Sequence, residues 1–327
     1  MPRVSCVMPV YKNEAHIAEA IDSILSQTYE DFELVISNDG SPDGCDKIIA
    51  RFADEDSRIV SLSREKNQGI VFTRNELTDH ARGEWLATMD ADDVSLPNRF
   101  EKQIAFIDEN PEYDVIGTSA LLIDPEGNPM CEMGGGLSHE AIDAHHMKAA
   151  TGTAFVSPTS FMRISALRAI GGYRDEGRHA EDFDLMLRLS EKGAICTMPD
   201  ALLLYRQHLG SIGYHFNKDQ RAAIRWAVEE AYERRGIALP DGLFDDSASK
   251  RTPSYACRQW SEWSLRGGNV GLARRYGWRA ISLAPWSPRG WRALARAYMP
   301  GVRNEDRVQL AAKSQHDLQS SILTKAK

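Results

Sequence analysis

The first half of the chain alternates short apolar runs with stretches in which apolar residues recur at helical spacing. Four runs are short, apolar and bounded by turn residues, which is typical of buried strands. These predicted strands comprise residues 4–10, 32–37, 58–63 and 85–89. Amphipathic helices are predicted between them, at residues 15–27, 45–54 and 70–81. This alternation predicts a mostly parallel central sheet flanked by helices, and therefore an α/β fold with a Rossmann-like half.

The pattern is less regular after residue 97. Helices are predicted at residues 99–109, 164–170 and 181–192, and strands within 114–124 and 201–205. The glycine run at Met133–Leu137 predicts a flexible loop near a site. From residue 219 onward the chain is helical in pattern, with breaks near 240–246, 267–268 and 285–288. We therefore predict an α/β domain at 1–215 and a helical C-terminal region at 216–327.

Composition narrows the class of protein. The 327 residues are 42% hydrophobic and 26% charged, which is ordinary for a soluble globular protein. The sequence has no apolar stretch of about 18 residues and no signal-peptide pattern, so we predict a cytoplasmic protein. The five cysteines are scattered and include no Cys-x-x-Cys pair, which argues against zinc or iron–sulfur ligation.

The net charge of −8 conceals an asymmetry between the two ends of the chain. Residues 250–327 contain 15 Lys and Arg against 4 Asp and Glu, a net charge of +11, so residues 1–249 carry −19. A basic C-terminal region is typical either of a solvated helical face or of a surface that contacts an anionic partner. The second interpretation predicts peripheral contact with the inner face of a membrane, and no nucleic acid is expected as a partner.

Three polar clusters follow predicted strands directly, at Tyr11–Glu14, Asn38–Ser41 and Asp90–Asp93. If the strands are parallel, all three clusters share one edge of the sheet, where α/β proteins bind ligands. Asp90 and Asp92 are alternating carboxylates at a strand end, and their hard oxygen atoms suit Mn²⁺ or Mg²⁺. The alternative is structural, with Asp93 or Ser95 capping the following helix.

Other candidate residues are ambiguous on local grounds. Asp39 has the chemistry to accept a hydrogen bond from a pyrimidine base, or to stabilise its own turn. Glu181 and Asp182 open a helix, where acidic residues are either general bases or partners of the helix dipole. His208 follows a strand and is either a metal ligand or a structural histidine.

Five motifs in order, across about residues 3–210, resemble family 2 glycosyltransferases. They are Val7–Glu14, Asn38–Ser41, Asn67–Asn75, Asp90–Asp93 and Glu181–Asp182. The resemblance implies a GT-A fold for residues 1–215 and a divalent metal. It also implies inverting transfer from a nucleotide-diphosphate sugar, commonly a UDP-sugar, to an acceptor hydroxyl. The implied setting is bacterial-type cell-surface polysaccharide or glycoconjugate synthesis, with a saccharide or lipid-linked saccharide as acceptor.

The resemblance also implies a role for each matching residue. Asp182, with Glu181, resembles the catalytic base, and Asp92, Asp90 and His208 resemble metal-contacting positions. The nucleotide and donor would be bound by Pro9, Tyr11, Glu14, Asp39, Asn67, Gly69, Arg74, Asp90 and Ala91. Asn38 departs from the pattern, because the family often has a first Asp there.

Three other functions stay open at this point. A phosphohydrolase of the haloacid dehalogenase type would use Asp90 and Asp92 in an Asp-x-Asp motif, although that motif usually lies nearer the N-terminus. A nucleotidyltransferase shares the general sheet but needs a Gly-rich N-terminal loop with a basic residue, which Pro9–Glu14 is not. A scaffold that uses the basic C-terminal region would leave the ordered motifs without a purpose.

Overall fold

Four parallel strands form one half of the sheet. The computed structural model describes residues 1–148, 152–211, 217–244 and 251–299. The strands are β1 (Val4–Val10), β2 (Phe32–Asn38), β3 (Ile59–Ser63) and β4 (Trp85–Thr88), connected by α1 (Ile17–Leu25), α2 (Cys45–Glu55) and α3 (Ile70–His80). All seven elements were predicted from the sequence. Their spatial order is β3-β2-β1-β4, so the order reverses between β1 and β4, and such a switch point opens a crevice at the carboxyl ends.

The other half of the sheet is largely antiparallel. It contains β5 (Val94–Ser95), β6 (Tyr113–Ile123), β7 (Pro129–Met133), β8 (Phe161–Arg163) and β9 (Ala194–Arg206). β8 pairs antiparallel with β4 and β6, and β5 pairs antiparallel with β9. The strand predicted at 201–205 is only the end of β9, because Pro199 and Asp200 resemble a turn in sequence. β5, β7 and β8 were not predicted, since runs of two to five residues carry little periodicity.

Helices surround the sheet and form the C-terminal region. They are α4 (Arg99–Glu109), α5 (His139–Met147), α6 (Ile164–Ala169), α7 (Glu181–Ser190), α8 (Asn217–Arg234), α9 (Pro253–Arg266), α10 (Val270–Leu283) and α11 (Pro288–Tyr298). Only α5 was not predicted. The expected breaks near 267–268 and 285–288 separate α9, α10 and α11. The helical pattern at 245–250 and 300–327 lies outside the described residues. Among the described helices, none is both long and apolar enough to cross a bilayer.

The chain forms two compact units, and both are discontinuous in sequence. The first comprises Met1–Ala120, Gly134–Leu204 and Lys218–Asp246, and the second comprises Leu121–Met133, Tyr205–Asn217 and Ser247–Lys327. The first unit has an apolar core that includes Val7, Val35, Leu86, Val115 and Met162. In the second, Leu122 and Met130 pack with Trp260, Leu272 and Tyr276. The division of the chain at residue 215 stays a prediction.

A buried carboxylate lies in the second unit. Asp124 is fully buried, and its Oδ2 accepts a hydrogen bond from the Tyr276 hydroxyl at 2.9 Å. Its Oδ1 accepts the backbone N–H of Asn128 at 2.7 Å. Because a buried charge without donors is costly, these two bonds keep the carboxylate compatible with an apolar surrounding.

A buried histidine links α5 to α7 in the first unit. The His146 ring contacts the Phe183 ring edge-on, with centroids 5.0 Å apart, and its Nε2 accepts the backbone N–H of Ala154 at 3.1 Å. Burial, with a smaller contribution from the nearby His145, lowers the pKa of His146 to about 3. The folded protein therefore holds this imidazole in the neutral form at neutral pH.

The glycine run predicted as a flexible loop is hydrogen-bonded at both ends. The Ser119 hydroxyl donates to the Gly134 carbonyl at 2.6 Å, and the Leu137 N–H donates to Thr197 Oγ1 at 2.8 Å. Gly135 has a φ of +90°, and a Cβ there would lie 2.1 Å from Ser119 Oγ. Glycine is therefore required at this position by both conformation and space. That the loop lies near the site stays a prediction.

Candidate active site

The three polar clusters predicted to share a sheet edge do follow neighbouring parallel strands. The Tyr11–Glu14 cluster follows β1, the Asn38–Ser41 cluster follows β2, and the Asp90–Asp93 cluster follows β4 on the other side of β1. The Asp39 N–H donates to the Val10 carbonyl at 2.9 Å, and the Met89 N–H donates to the Val7 carbonyl at 3.0 Å. The clusters therefore meet at the switch point of the sheet.

Asp39 anchors a second loop as well as its own. Its Oδ1 accepts the Gln68 N–H and its Oδ2 accepts the Gly69 N–H, both at 2.8 Å. The Asn67 side chain donates to the Asp39 carbonyl at 3.1 Å. The predicted donor-binding residues Asp39, Asn67 and Gly69 thus come together. The loop-stabilising role of Asp39 is present, and Oδ2, which accepts only one of these bonds, retains acceptor capacity for a ligand N–H.

Gly40 fits closely against this second loop. Its φ is +65°, and a Cβ on it would lie 2.7 Å from the Asn67 nitrogen and from the Lys66 carbonyl carbon. Only a residue without a Cβ allows this approach. The close contact fixes the position of Asn67 relative to Asp39.

Arg64 is a residue of this site that the sequence did not reveal. Its guanidinium forms ion pairs with Asp39, at 3.0 Å, and with Glu76. It also stacks on the exposed ring of Phe72, 4.6 Å from the centroid. The only sequence signal was one arginine after β3, which has no fixed spacing to the Asp39 motif. Arg64 balances the buried charge of Asp39.

The first loop is tied to the Asn38–Ser41 loop. Pro9 lies opposite Ser37 in the parallel pairing of β1 and β2. The Lys12 N–H donates to Ser41 Oγ at 2.7 Å, in a backbone conformation with φ of +59°. Tyr11 and Glu14 are both exposed. Their side chains are therefore accessible for a ligand at the ends of β1 and β2.

The aspartates after β4 form a compact oxygen-rich group. Asp90, Asp92 and Asp93 each offer a carboxylate oxygen, and these oxygens lie within 4.8 Å of one another. Asp90 and Asp92 are partly exposed, whereas Ala91 and Asp93 are buried. Hard oxygen donors at this spacing fit Mg²⁺ or Mn²⁺. Asp90 and Asp92 are the members of the group that solvent and a ligand reach.

The structural alternative for this cluster, a helix cap, is wrong. The following helix, α4, begins at Arg99, and Asn98 is the residue at its cap. Ser95 instead lies in β5, where its Oγ accepts from Gln27 Nε2 at 3.2 Å. Asp93 interacts electrostatically with Arg99, opposing the burial that lowers the pKa of that guanidinium to about 10. The side chains are too far along the chain to cap a helix that starts at residue 99.

Arg74 joins two of the predicted motifs. Its Nη2 lies 3.5 Å from Asp90 Oδ1, and its Nε lies 3.3 Å from Glu181 Oε1. Arg74 and Glu181 are buried. Burial raises the pKa of Glu181 and that of Asp90, while Arg74 opposes both shifts. The site therefore places one cation among carboxylates from β4 and α7.

The start of α7 carries the predicted base. Glu181 and Asp182 are its first two residues, where the helix dipole stabilises negative charge. Asp182 Oδ1 accepts the N–H of Phe183 at 2.8 Å. Tyr173, which the sequence did not single out, packs beside Arg74 with its ring centroid 5.6 Å from the guanidinium carbon. Burial raises the pKa of its phenol, so Tyr173 is a neutral neighbour of this charged group.

His208 belongs to the other compact unit. Its Nδ1 accepts the N–H of Gly210 at 3.1 Å. The group of aspartate ligands found among the described residues does not include it. Its role as a metal ligand stays a prediction.

Two family models match the chain. The model for glycosyl transferase family 2 matches residues 5–130, and that for glycosyl transferase family group 2 matches residues 85–304. The second match covers more than half of the chain. Together they include the polar clusters, Arg74 and Glu181–Asp182.

Curated relatives agree with these models. The putative glycosyltransferase EpsE of Bacillus subtilis is 37% identical over 59% of this chain and 68% of its own length. The O-antigen biosynthesis glycosyltransferase WbnJ of Escherichia coli is 32% identical over 63% of this chain and 80% of its own length.

Solved structures share the fold at low sequence identity. S. aureus TarS 1-349 in complex with UDP-GlcNAc has a TM-score of 0.55 and 19% identity, over 90% of this chain and 88% of that one. Of the longer TarS chain, this protein spans 55%. The mannosyltransferase PcManGT from Pyrobaculum calidifontis, in complex with GDP-Man and Mn²⁺, has a TM-score of 0.53 and 18% identity, over 98% of this chain and 86% of that one. The α/β fold is thus of the GT-A type, and the chain belongs to glycosyltransferase family 2.

Proposed function

We propose that the chain transfers a sugar from a nucleotide-diphosphate sugar to an acceptor hydroxyl with inversion at the anomeric carbon. The observation that carries this proposal is the Arg74 bridge between Asp90 and Glu181. It brings the end of β4, where the oxygen ligands lie, next to the start of α7, which carries Asp182. A donor diphosphate at β4 and an acceptor at α7 would then meet.

The reaction is a single displacement. The acceptor oxygen attacks the anomeric carbon, and Asp182 takes the acceptor proton through its carboxylate. The bond from the anomeric carbon to the diphosphate oxygen breaks, and the diphosphate leaves with the electron pair. A divalent cation, Mn²⁺ or Mg²⁺, held by Asp92 and Asp90 would neutralise charge on that leaving group. Glu181 is buried against Arg74 and positions the guanidinium rather than meeting the acceptor.

We infer that the donor is a UDP-sugar. Asp39 lies at the end of β2 with both oxygens oriented by backbone N–H groups, and the acceptor capacity left on its Oδ2 suits the ring N–H of uracil. The UDP-GlcNAc complex of the TarS structure supports this nucleotide, whereas the GDP-Man complex of PcManGT keeps guanine as the alternative. The acceptor is a saccharide or a lipid-linked saccharide of surface polysaccharide synthesis, which the O-antigen relative supports.

Donor turnover by Asp182→Asn tests the assignment of the base. We expect turnover to fall by about 10²-fold or more while UDP binding stays close to normal, because the amide keeps the shape but takes no proton. Asp175→Asn is the matched control, since Asp175 is exposed and pairs with Arg178. Retained turnover in Asp182→Asn would remove Asp182 from this role.

Calorimetric titration with UDP, GDP and dTDP, each with and without Mn²⁺, tests the donor. Metal-dependent binding of UDP that is lost in Asp92→Ala is the expected result. Binding of GDP instead of UDP would show that the donor carries guanine rather than uracil. A burst of free phosphate from simple phosphate esters, without nucleotide binding, would restore the phosphohydrolase alternative.

A further inference from the structure

The last two described helices expose a group of aromatic side chains. We call it the aromatic patch and define it as Trp278, Trp286, Trp291 and Tyr298. Trp286, between α10 and α11, is 93% exposed, and the other three are exposed over about half of their surface. The Trp278 and Trp291 rings meet edge-on with centroids 6.5 Å apart, and Trp278 Nε1 donates to the Tyr298 hydroxyl at 3.3 Å.

These aromatic residues are not required for the core. The opposite faces of α10 and α11 already supply the buried side chains Leu272, Tyr276, Ala280, Ala293 and Leu294. Each helix therefore has one apolar face on the inside, and the aromatic residues Trp278 on α10 and Trp291 and Tyr298 on α11 lie outside that face. Large apolar side chains grouped on a surface are typical of a binding site.

The surface around the patch is strongly basic. Residues 263–299 contain seven Arg and no Asp, Glu or Lys, and all seven are exposed, although Arg275 pairs with Glu126 at 3.3 Å. Arg274 stacks on Tyr298, 4.4 Å from the ring centroid. Arg279, Arg289 and Arg292 form no ion pair with an acidic residue of the described part of the chain. Their charge is available to an anionic partner.

We propose that the aromatic patch binds the surface of an anionic phospholipid bilayer. Indole and phenol rings have an apolar body and a polar edge, which suits the headgroup level of a membrane. Trp286 would insert first because it projects from the α10–α11 connection. The neighbouring guanidinium groups would bind lipid phosphates in pairs of hydrogen bonds.

Charge favours this partner over two others. A second copy that docked through the same face would bring Arg279, Arg289 and Arg292 against the same three arginines, and like charges oppose such association. A neutral glycan would use the rings and leave the arginine charge without a counter-charge. An anionic membrane satisfies both features of the surface. The proposal concerns only the second unit and does not depend on the transferase reaction.

Vesicle co-sedimentation of the full chain, without donor, tests the proposal. Phosphatidylcholine vesicles with and without phosphatidylglycerol are compared as salt is raised. We expect binding only with phosphatidylglycerol, weakened by salt. Trp286→Ala should lower the partition coefficient about tenfold or more. Arg289→Gln with Arg292→Gln should lower it about 25-fold, since each arginine contributes about fivefold.

Two matched controls separate the patch from surface change in general. Ile237→Ala removes an apolar side chain that is 53% exposed from the other unit, and Lys47→Gln removes an exposed charge from α2. Both should bind vesicles like the wild type. Circular dichroism of each variant checks its folding.

Several outcomes would overturn the proposal. The proposal would be overturned if the wild-type protein did not bind anionic vesicles at low salt. It would also be overturned if Trp286→Ala bound these vesicles as strongly as the wild type. A concentration-dependent dimer that Trp286→Ala abolishes, with vesicle binding unaffected, would assign the patch to self-association. Quenching of patch tryptophan fluorescence by neutral oligosaccharides, without vesicle binding, would assign it to a glycan.

Discussion

Replacing His146 by glutamine should alter how the stability of the protein depends on pH. The folded state holds His146 neutral, with a pKa of about 3 against 6.5 for an exposed imidazole. Below pH 6.5 the unfolded chain therefore binds a proton that the folded chain does not, so the free energy of unfolding falls as the pH falls. The slope approaches about 1.4 kcal/mol per pH unit well below pH 6.5, which gives about 2 kcal/mol between about pH 7.5 and about pH 5.0.

The hydrogen bonding of His146 also favours a neutral imidazole in the folded protein. The Nε2 atom of His146 accepts the Ala154 N–H, and a proton on Nε2 would place two donors against each other. The groups that act on His146 are His145 and Arg235, which disfavour protonation, and Asp143, which favours it. Glutamine at this position keeps an acceptor for Ala154 and does not titrate.

Urea unfolding of wild type and His146→Gln at about pH 7.5 and about pH 5.0 measures the effect. The wild type should lose about 2 kcal/mol more than the variant between the two pH values. His80→Gln is the matched control, because His80 is an exposed histidine on α3. A difference between wild type and His146→Gln that stays constant with pH would refute the argument.

Three further predictions concern the sites. Gly40→Ala should lower the free energy of unfolding by about 2–3 kcal/mol, and Gly136→Ala by about 1 kcal/mol. Both glycines have a positive φ, but only at Gly40 would a Cβ lie 2.7 Å from neighbouring backbone atoms. Equal losses for the two variants in urea unfolding would contradict the close contact at Gly40. Asp92→Asn should weaken Mn²⁺-dependent nucleotide binding about tenfold by calorimetry, with stability unchanged. Tyr276→Phe should lower the free energy of unfolding by about 1–3 kcal/mol, because the buried Asp124 carboxylate loses a hydrogen-bond donor. An unchanged free energy of unfolding would contradict the importance of that bond.

The sequence predicted the parallel half of the sheet and the convergence of its polar clusters. Both follow from local information, because a buried parallel strand is a continuous apolar run and the polar residues come directly after it. The Asn38–Ser41 and Asp90–Asp93 clusters were both identified in this way. The family resemblance, and not this pattern, placed Gly69 in the same donor site as Asp39, and the structure joins the two residues by a hydrogen bond.

Contacts between distant elements were not predictable. Arg64 and Tyr173 act through tertiary neighbours, Asp39 and Arg74, and no spacing along the chain encodes those pairs. The sequence suggested that Asp93 caps a helix. Its electrostatic interaction with Arg99 could not be predicted, because it forms only when α4 packs against the end of the strand. The three-residue strand β8 owes its existence to pairing with β4 and β6 rather than to its own pattern.

The discontinuous second unit has a consequence for synthesis of the protein. Leu122 and Met130 are covered by Trp260 and Tyr276, and the Asp124–Tyr276 hydrogen bond joins residues 152 positions apart. During synthesis on the ribosome, the apolar surface of the segment 121–133 therefore stays exposed until the residues around 260–276 have been made. A chain ended after residue 244 would leave that surface bare and Asp124 without its tyrosine. We expect such a shortened enzyme to aggregate, even though every predicted catalytic residue would be present.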